Sequence, residues 1–263
     1  MTLAEWLKSP PGVYLQHWEQ LRFDEGVSDI FGFHALQLGF PEFPALNTNR
    51  MPHQWLALTS TLSTSHDEST GAALIVDPEA LPFPEKTLDL VLLPHTLERS
   101  CDPHACLREV ARVLVPEGRV VISGFNPVSL WGFSQSRGHF YRRFGRERLF
   151  LPDSGEFIGY WRLRDWLRLL DFEVESAHFG CWRPALSSSA WLERFDWMDS
   201  LGKRWWPIFG AAYFVVAVKK VRGVQLLEPS WKTRNVPAAA APATVANRHH
   251  RKNDPSDHSK PSS

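Results

Sequence analysis

Cysteine is scarce in this chain: Cys101, Cys106 and Cys181 are the only three among 263 residues. That is too few for a disulfide framework, and the spacing of the first two fits neither a zinc knuckle nor a redox pair. We therefore expect reduced thiols, no metal site and a cytoplasmic protein. An excess of either charge is missing too. Lys+Arg 29 and Asp+Glu 29 cancel to a formal net charge of +0, and the sequence pI is ≈ 7.2. No global field draws the chain to nucleic acid or to an anionic membrane, so neither is an expected partner. Long apolar runs are also lacking. The uncharged stretch from Trp205 to Val218 is shorter than the roughly 20 residues needed to cross a bilayer, and Pro207 and Gly210 interrupt it. The opening MTLAEWLKSPPG holds one lysine and no long apolar core, unlike a secretory signal.

What is present is concentrated between Leu74 and Leu130. Two apolar runs, Ala72 to Val76 and Leu88 to Leu93, end at Asp77-Pro78 and at Pro94. Asp102-Pro103 then offers an N-cap and a first-turn proline. Leu107, Val110, Ala111 and Leu114 follow at helical spacing, and Gly118 is the expected end of that helix. Val120 to Ile122 is a third apolar run. Continuous Val/Ile/Leu runs read as strands buried on both faces, and a helix between two of them implies a right-handed parallel crossover. Ligands of such sheets bind outside the carboxyl ends of the strands, which here carry Asp77, His95 and Asn126.

These residues carry a family resemblance. An acidic residue followed by ALPF, then LDLV, then LREVARVLVPEGRVVIS resembles the second half of a class I S-adenosylmethionine-dependent methyltransferase domain, from Val76 to Ser123 without a gap. FGFHALQLG, GFNPVSLWG and RLRDWLRLLDFEV extend the resemblance over roughly residues 12 to 222, and the chain looks most like small bacterial methyltransferase-domain proteins of the YafS type. The resemblance implies an α/β, Rossmann-like three-layer fold with a mostly parallel central sheet. It implies S-adenosylmethionine as cofactor and methyl transfer to an acceptor, small or macromolecular, that the sequence does not identify. Carried over position by position, the cofactor would meet Gln37, Gly39, Asp77, Pro78, Leu81 and Pro94, with Asp77 accepting from the adenine amine. His95 would face the acceptor and could take a proton from it; a structural hydrogen bond to the adjacent loop is the other reading of this histidine.

The first half departs from that pattern. The family sets an acidic residue ahead of three glycines at alternate positions, which let backbone approach ligand closely. Here Gln37 stands for the acid, Gly39 is the one glycine kept, and Pro41 and Phe43 occupy the other two places. Thr59, Ser60 and Thr61 stand where a ribose-binding carboxylate is usual, and Asp67 and Glu68 read as solvated loop charges. Two functions therefore stay open: methyl transfer, and a non-catalytic methyltransferase-like domain that binds a partner through its Trp- and Arg-rich second half.

The remaining expectations concern organisation. Residues 1–228 read as one methyltransferase-like domain, with a leading helix 13–30, a cofactor half 31–130 and an acceptor or lid half 131–228. Residues 229–263 are Ala/Pro-rich and then polar, with too little apolar surface to fold, and read as a disordered tail. Asp89 reads as a loop cap. The aromatic and arginine-rich stretch from Trp131 to Phe150 reads as a solvated lid. Leu163 to Leu170 and Trp191 to Trp206 read as helices, and Phe172 to Ser176 and Ala212 to Val218 as strands.

Overall fold

The computed structural model describes residues 3–41, 43–59, 74–142, 150–151, 155 and 157–220, apart from the side chains of residues 4 and 139–142. Residues 1–223 form one compact unit. The expected tail from 229, the loop acids Asp67 and Glu68, and Arg143, Arg146 and Arg148 lie outside the described residues.

In chain order the elements are α1 (Leu3–Leu7), α2 (Pro10–Ser28), β1 (His34–Leu38), β2 (His53–Thr59), β3 (Leu74–Val76), β4 (Leu88–Pro94), α3 (Pro103–Val113), β5 (Leu114–Phe125), α4 (Leu130–Arg142), α5 (Tyr160–Leu169), β6 (Phe172–Gly180), α6 (Ser189–Arg194), α7 (Trp197–Trp205) and β7 (Ala212–Lys219). Single 3₁₀ turns follow β4 at Leu97–Arg99 and α7 at Pro207–Phe209. The strands form one seven-stranded sheet in the order β3-β2-β1-β4-β5-β7-β6. Pairings from β3 through β5 are parallel, while β7 is antiparallel to both β5 and β6. The expected α/β fold with a mostly parallel sheet is what the chain adopts.

Strand periodicity sorts the core into two layers. Leu90 and Leu92 of β4, Val121 of β5 and Phe214 of β7 pack with Leu15, Phe23 and Val27 of α2. Their alternate neighbours Val91, Leu93, Val120, Ile122 and Val215 pack with Cys106, Leu107 and Val110 of α3 and with Leu163 and Leu167 of α5. Both faces of the central strands are thus covered, as their unbroken apolar runs require.

Three local expectations change. The helix after Asp102 stops at Val113, not Gly118, because Leu114 already pairs with Leu88 and Pro116 cannot extend a helix. Trp191 to Trp206 is two short helices joined near Asp196. The leading helix spans Pro10–Ser28 and not residues 13–30, and ahead of it Trp6 is 1% exposed, packs edge-on against Phe125, Trp131 and Phe150, and donates its indole N–H to Phe150 O at 2.8 Å. Asp89 does cap a loop, accepting from the N–H groups of Phe33 and His34 at 2.8 and 2.9 Å.

Candidate functional site

The carboxyl ends of β1, β3, β4 and β5 lie along one edge of the sheet, and each carries one of the residues singled out by sequence. At the end of β3, Asp77 is exposed. Its Oδ1 accepts from Glu79 N–H at 2.9 Å, while Ala80 N–H donates to Asp77 O, a tight Asx-type turn. Pro78 and Leu81 are buried beneath it, and Phe83 packs on Trp55 with ring centroids 5.8 Å apart. The helix α3 clamps this turn. Arg112 donates to the carbonyls of Leu81 and Phe83 at 3.0 and 2.9 Å, and Glu109 accepts from Leu81 N–H at 3.1 Å while pairing with Arg112 at 2.7 Å. The hydrogen bond from Arg112 pulls the Glu109 carboxyl below its ordinary range. The ALPF and REVAR segments therefore occur together for a mechanical reason: the second holds the first in shape.

The end of β1 is built differently. Gly39 and Phe40 turn the chain at φ 75 and 57, and Gly39 N–H donates to Ala57 O at 2.7 Å. A left-handed conformation is free for glycine but unusual for phenylalanine. Phe40 and Phe43 are 5% and 3% exposed, and Phe43 meets Phe23 of α2 edge-on at 5.2 Å. Gln37, equally buried, fastens the loop: its amide donates to the carbonyls of Gly39, Phe40 and Phe43 at 3.2, 2.9 and 2.8 Å and accepts from Ala45 N–H at 3.2 Å. Its hydrogen-bonding groups are turned inward on its own loop.

His95 follows Pro94, the last residue of β4, in a left-handed turn at φ 51. It is 1% exposed. Nε2 lies 2.9 Å from Glu19 Oε1 of α2, and Nδ1 lies 3.0 Å from Glu98 Oε2. The other Glu98 oxygen accepts a short hydrogen bond from Phe125 N–H. Burial alone would lower the imidazole, but the two facing carboxylates outweigh it and raise the group to about 10. Burial pushes the Glu98 carboxyl up against the opposing pull of His95 and Phe125 N–H. We take the cluster as an imidazolium between carboxylates, because two carboxylates at hydrogen-bond distance from the two ring nitrogens favour the charged ring. The geometry gives His95 the structural role: it is buried, and its two ring nitrogens are committed to Glu19 and Glu98. Thr96 Oγ1 donates to Leu38 O at 2.6 Å and so joins the ends of β4 and β1.

At the end of β5, Asn126 is also turned inward. Its amide donates to Ile208 O and Gly210 O at 2.7 and 2.9 Å, and its Oδ1 accepts from Val128 N–H at 3.2 Å. One polar atom of this edge is left over. Ser123 Oγ, on β5 in register with Pro94, is buried with no hydrogen-bond partner among the described residues.

Sequence reasoning found the strand ends but missed Glu19, Glu109 and Arg112; it places Glu98 on a short helix after β4 as a solvated charge, whereas Glu98 is 2% exposed there. For Glu19 a signal was present: it sits between Leu15 and Phe23 at four-residue steps, a charge on the apolar stripe of α2.

A family model described as a methyltransferase domain matches residues 58–122. The uncharacterized protein YafS of Escherichia coli is 31% identical over 169 residues, covering 64% of this chain and 65% of that one. The chain thus spans 65% of the length of this curated relative. A SAM-dependent methyltransferase of Archaeoglobus fulgidus superposes with a TM-score of 0.53 at 17% identity, over 78% of this chain and 94% of the other. One from Thermotoga maritima gives 0.52 at 16% identity, over 76% and 89%. The resemblance read from the motifs is thereby borne out: the fold is that of class I S-adenosylmethionine-dependent methyltransferases, and the chain is similar to YafS.

Proposed function

We propose that this chain transfers a methyl group from S-adenosylmethionine to an acceptor reached at the carboxyl edge of the sheet. The observation that carries the proposal is the Asp77–Phe83 turn: an exposed carboxylate at the end of β3, over buried Pro78 and Leu81, held rigid by Arg112 and Glu109. Such a turn suits a nucleoside, with Asp77 accepting from an exocyclic amine and Leu81 and Phe83 backing the ring. The unpartnered Ser123 Oγ supports the same edge as a ligand site. The three free cysteines agree with a cytoplasmic setting.

The residues present fit the nucleoside end of the cofactor. At the methionine end, Phe40 and Phe43 fill the space that the family's glycines leave, and His95 is enclosed by Glu19 and Glu98. The Gly39–Ala45 loop is then the part that yields on binding. When bound, the cofactor supplies a sulfonium that is already an activated leaving group. The protein's share is orientation and exclusion of water, with no proton removed by His95. An acceptor whose nucleophile is already neutral and unprotonated matches such a site.

A second reading rests on the same filled space. If the loop does not yield, the chain is a methyltransferase-like binding domain without a donor. Calorimetry with S-adenosylhomocysteine separates the two. Under the first reading Gln37→Leu, which frees the loop, binds the ligand, and Asp77→Ala in that background weakens it about tenfold to a hundredfold through loss of a charge-assisted hydrogen bond. Absence of binding to both parent and Gln37→Leu at millimolar ligand would favour the second.

A further inference from the structure

Every residue from 203 to 209 is exposed, and together they read Lys-Arg-Trp-Trp-Pro-Ile-Phe. Trp205 is 69% exposed, and Ile208 and Phe209 are 43% and 50%. This is not a loose end. Asn126, buried at the end of β5, holds Ile208 O and Gly210 O, and Trp182 donates its indole N–H to Trp206 O at 3.2 Å. The large side chains are fixed outward by a rigid turn. Across a cavity of about 450 Å³, Trp206 and Phe209 face the first turn of α4, where Leu130 and Phe133 are 50% and 63% exposed. A contiguous apolar face of this kind, held in water by buried hydrogen bonds, marks an interaction surface.

Its charges indicate what it meets. The acids beside it, Asp196 and Asp199, are both bound by Arg183. Lys203 and Arg204 form no ion pair among the described residues, and Arg194 lies over the ring of Trp191 at 5.6 Å, which is itself 51% exposed. Tryptophans with cations at their rim suit the boundary between headgroups and acyl chains, where an indole is apolar on its face and polar at its N–H. No described helix is long and apolar enough to cross a membrane. We infer that this face docks on the surface of an anionic phospholipid bilayer, with Ile208, Phe209 and Trp205 entering the interface and Lys203 and Arg204 at the phosphates. The expectation of no membrane contact rested on the lack of a spanning segment and on zero net charge, and surface docking requires neither. Asn126 N–H donates to Ala211 O at 2.8 Å, so the face is anchored at the carboxyl end of β5, and docking turns the ligand edge of the sheet toward lipid.

The test is flotation of the full chain with vesicles of phosphatidylglycerol and phosphatidylcholine, against vesicles of phosphatidylcholine alone. The parent should float with the anionic vesicles. Lys203→Glu/Arg204→Glu should weaken binding by about tenfold or more, as should Trp205→Ser/Ile208→Ser. Both pairs are exposed, so their melting curves should match the parent, and the charge pair keeps the test valid if the apolar pair perturbs folding. Trp205→Phe should bind nearly as the parent does. The inference is overturned if the parent fails to float at low salt, or if both double variants float as it does, which would place lipid binding elsewhere on the chain. It is equally overturned if the parent ignores vesicles but forms a dimer that Trp205→Ser/Ile208→Ser dissociates, since the face would then be covered by a second copy. None of these outcomes depends on whether the cofactor binds.

Discussion

Replacing His95 by glutamine removes the cation from a cluster in which Glu19 and Glu98 both face its ring, at 2.9 and 3.0 Å, with all three side chains almost wholly buried. Removing one partner of a buried ion pair costs about 3–5 kcal/mol, because the remaining charge keeps its desolvation penalty and loses its compensation. Against a total stability of roughly 5–15 kcal/mol, that is a large fraction. The pH dependence is more diagnostic. The folded value of His95 is raised from 6.5 to about 10, so its stabilisation is complete below pH 6.5 and is lost as pH rises through about 10. A shift of that size corresponds to at most ~5 kcal/mol, and the burial of two carboxylates reduces the net effect to about 2–4 kcal/mol. Urea denaturation between pH 6.5 and 9.5 should show the parent losing stability by that much more than His95→Gln does. If the variant does not fold, nitrogen NMR of the parent ring serves instead and should report an imidazolium at pH 8. Parallel stability profiles for parent and variant, or a neutral ring at pH 8, would refute the charged cluster and return His95 to the role of a base.

Two further perturbations follow from the loops at either end of β1. Gln37→Leu removes the donor shared by the Gly39, Phe40 and Phe43 carbonyls; denaturation should show a loss of about 1–3 kcal/mol, and calorimetry a tighter grip on S-adenosylhomocysteine, since less must be spent on moving the loop. Asp89→Ala strips the cap from Phe33 and His34 N–H; thermal melts should fall by several degrees, on the order of 1–3 kcal/mol, with ligand binding unchanged because this loop lies at the amino end of the strands.

The centre of the sheet was legible in the sequence because buried parallel strands are written as unbroken apolar runs, and Leu90 to Leu93 and Val120 to Ile122 could hardly be anything else. The Asp77 turn was legible for the same reason, being local: Asp-Pro and ALPF set its shape within a few residues. The cluster at His95 was not. Its members come from α2, from the end of β4 and from the turn after it, and Glu19 is 76 residues away in the chain. Nothing near either residue announces the other. Gln37 was placed by resemblance, but its bonding partners depend on a loop that the resemblance does not describe. Asn126 likewise reads as an ordinary Asn-Pro turn until Ile208 and Gly210 are folded against it.

The departures at Pro41 and Phe43 bear on affinity in a way that magnitudes can decide. Had the glycines simply been lost, the carbonyls of the loop would be left unsatisfied and its rings unpacked. Instead Phe43 packs on Phe23, Phe40 lies against His95 at 6.0 Å, and Gln37 satisfies three carbonyls. The closed loop is therefore stabilised, and under the proposed methyl transfer a ligand at the methionine end displaces it. Uncovering one phenylalanine costs about 1.5–3 kcal/mol, and each hydrogen bond given up about 0.5–1.5 kcal/mol. Displacement of the ring and two or three bonds then costs about 2.5–7.5 kcal/mol. A ligand that would otherwise bind near 1 μM is weakened about a hundredfold or more, to an apparent Kd of roughly 0.1 mM or above. Calorimetry of the parent should find S-adenosylhomocysteine in that range, and Gln37→Leu should recover part of the difference. Low-micromolar binding by the parent, unchanged in Gln37→Leu, would mean that the loop is not displaced at all, and that the ligand lies along the Asp77 turn by a route that leaves Phe40 and Phe43 where they are.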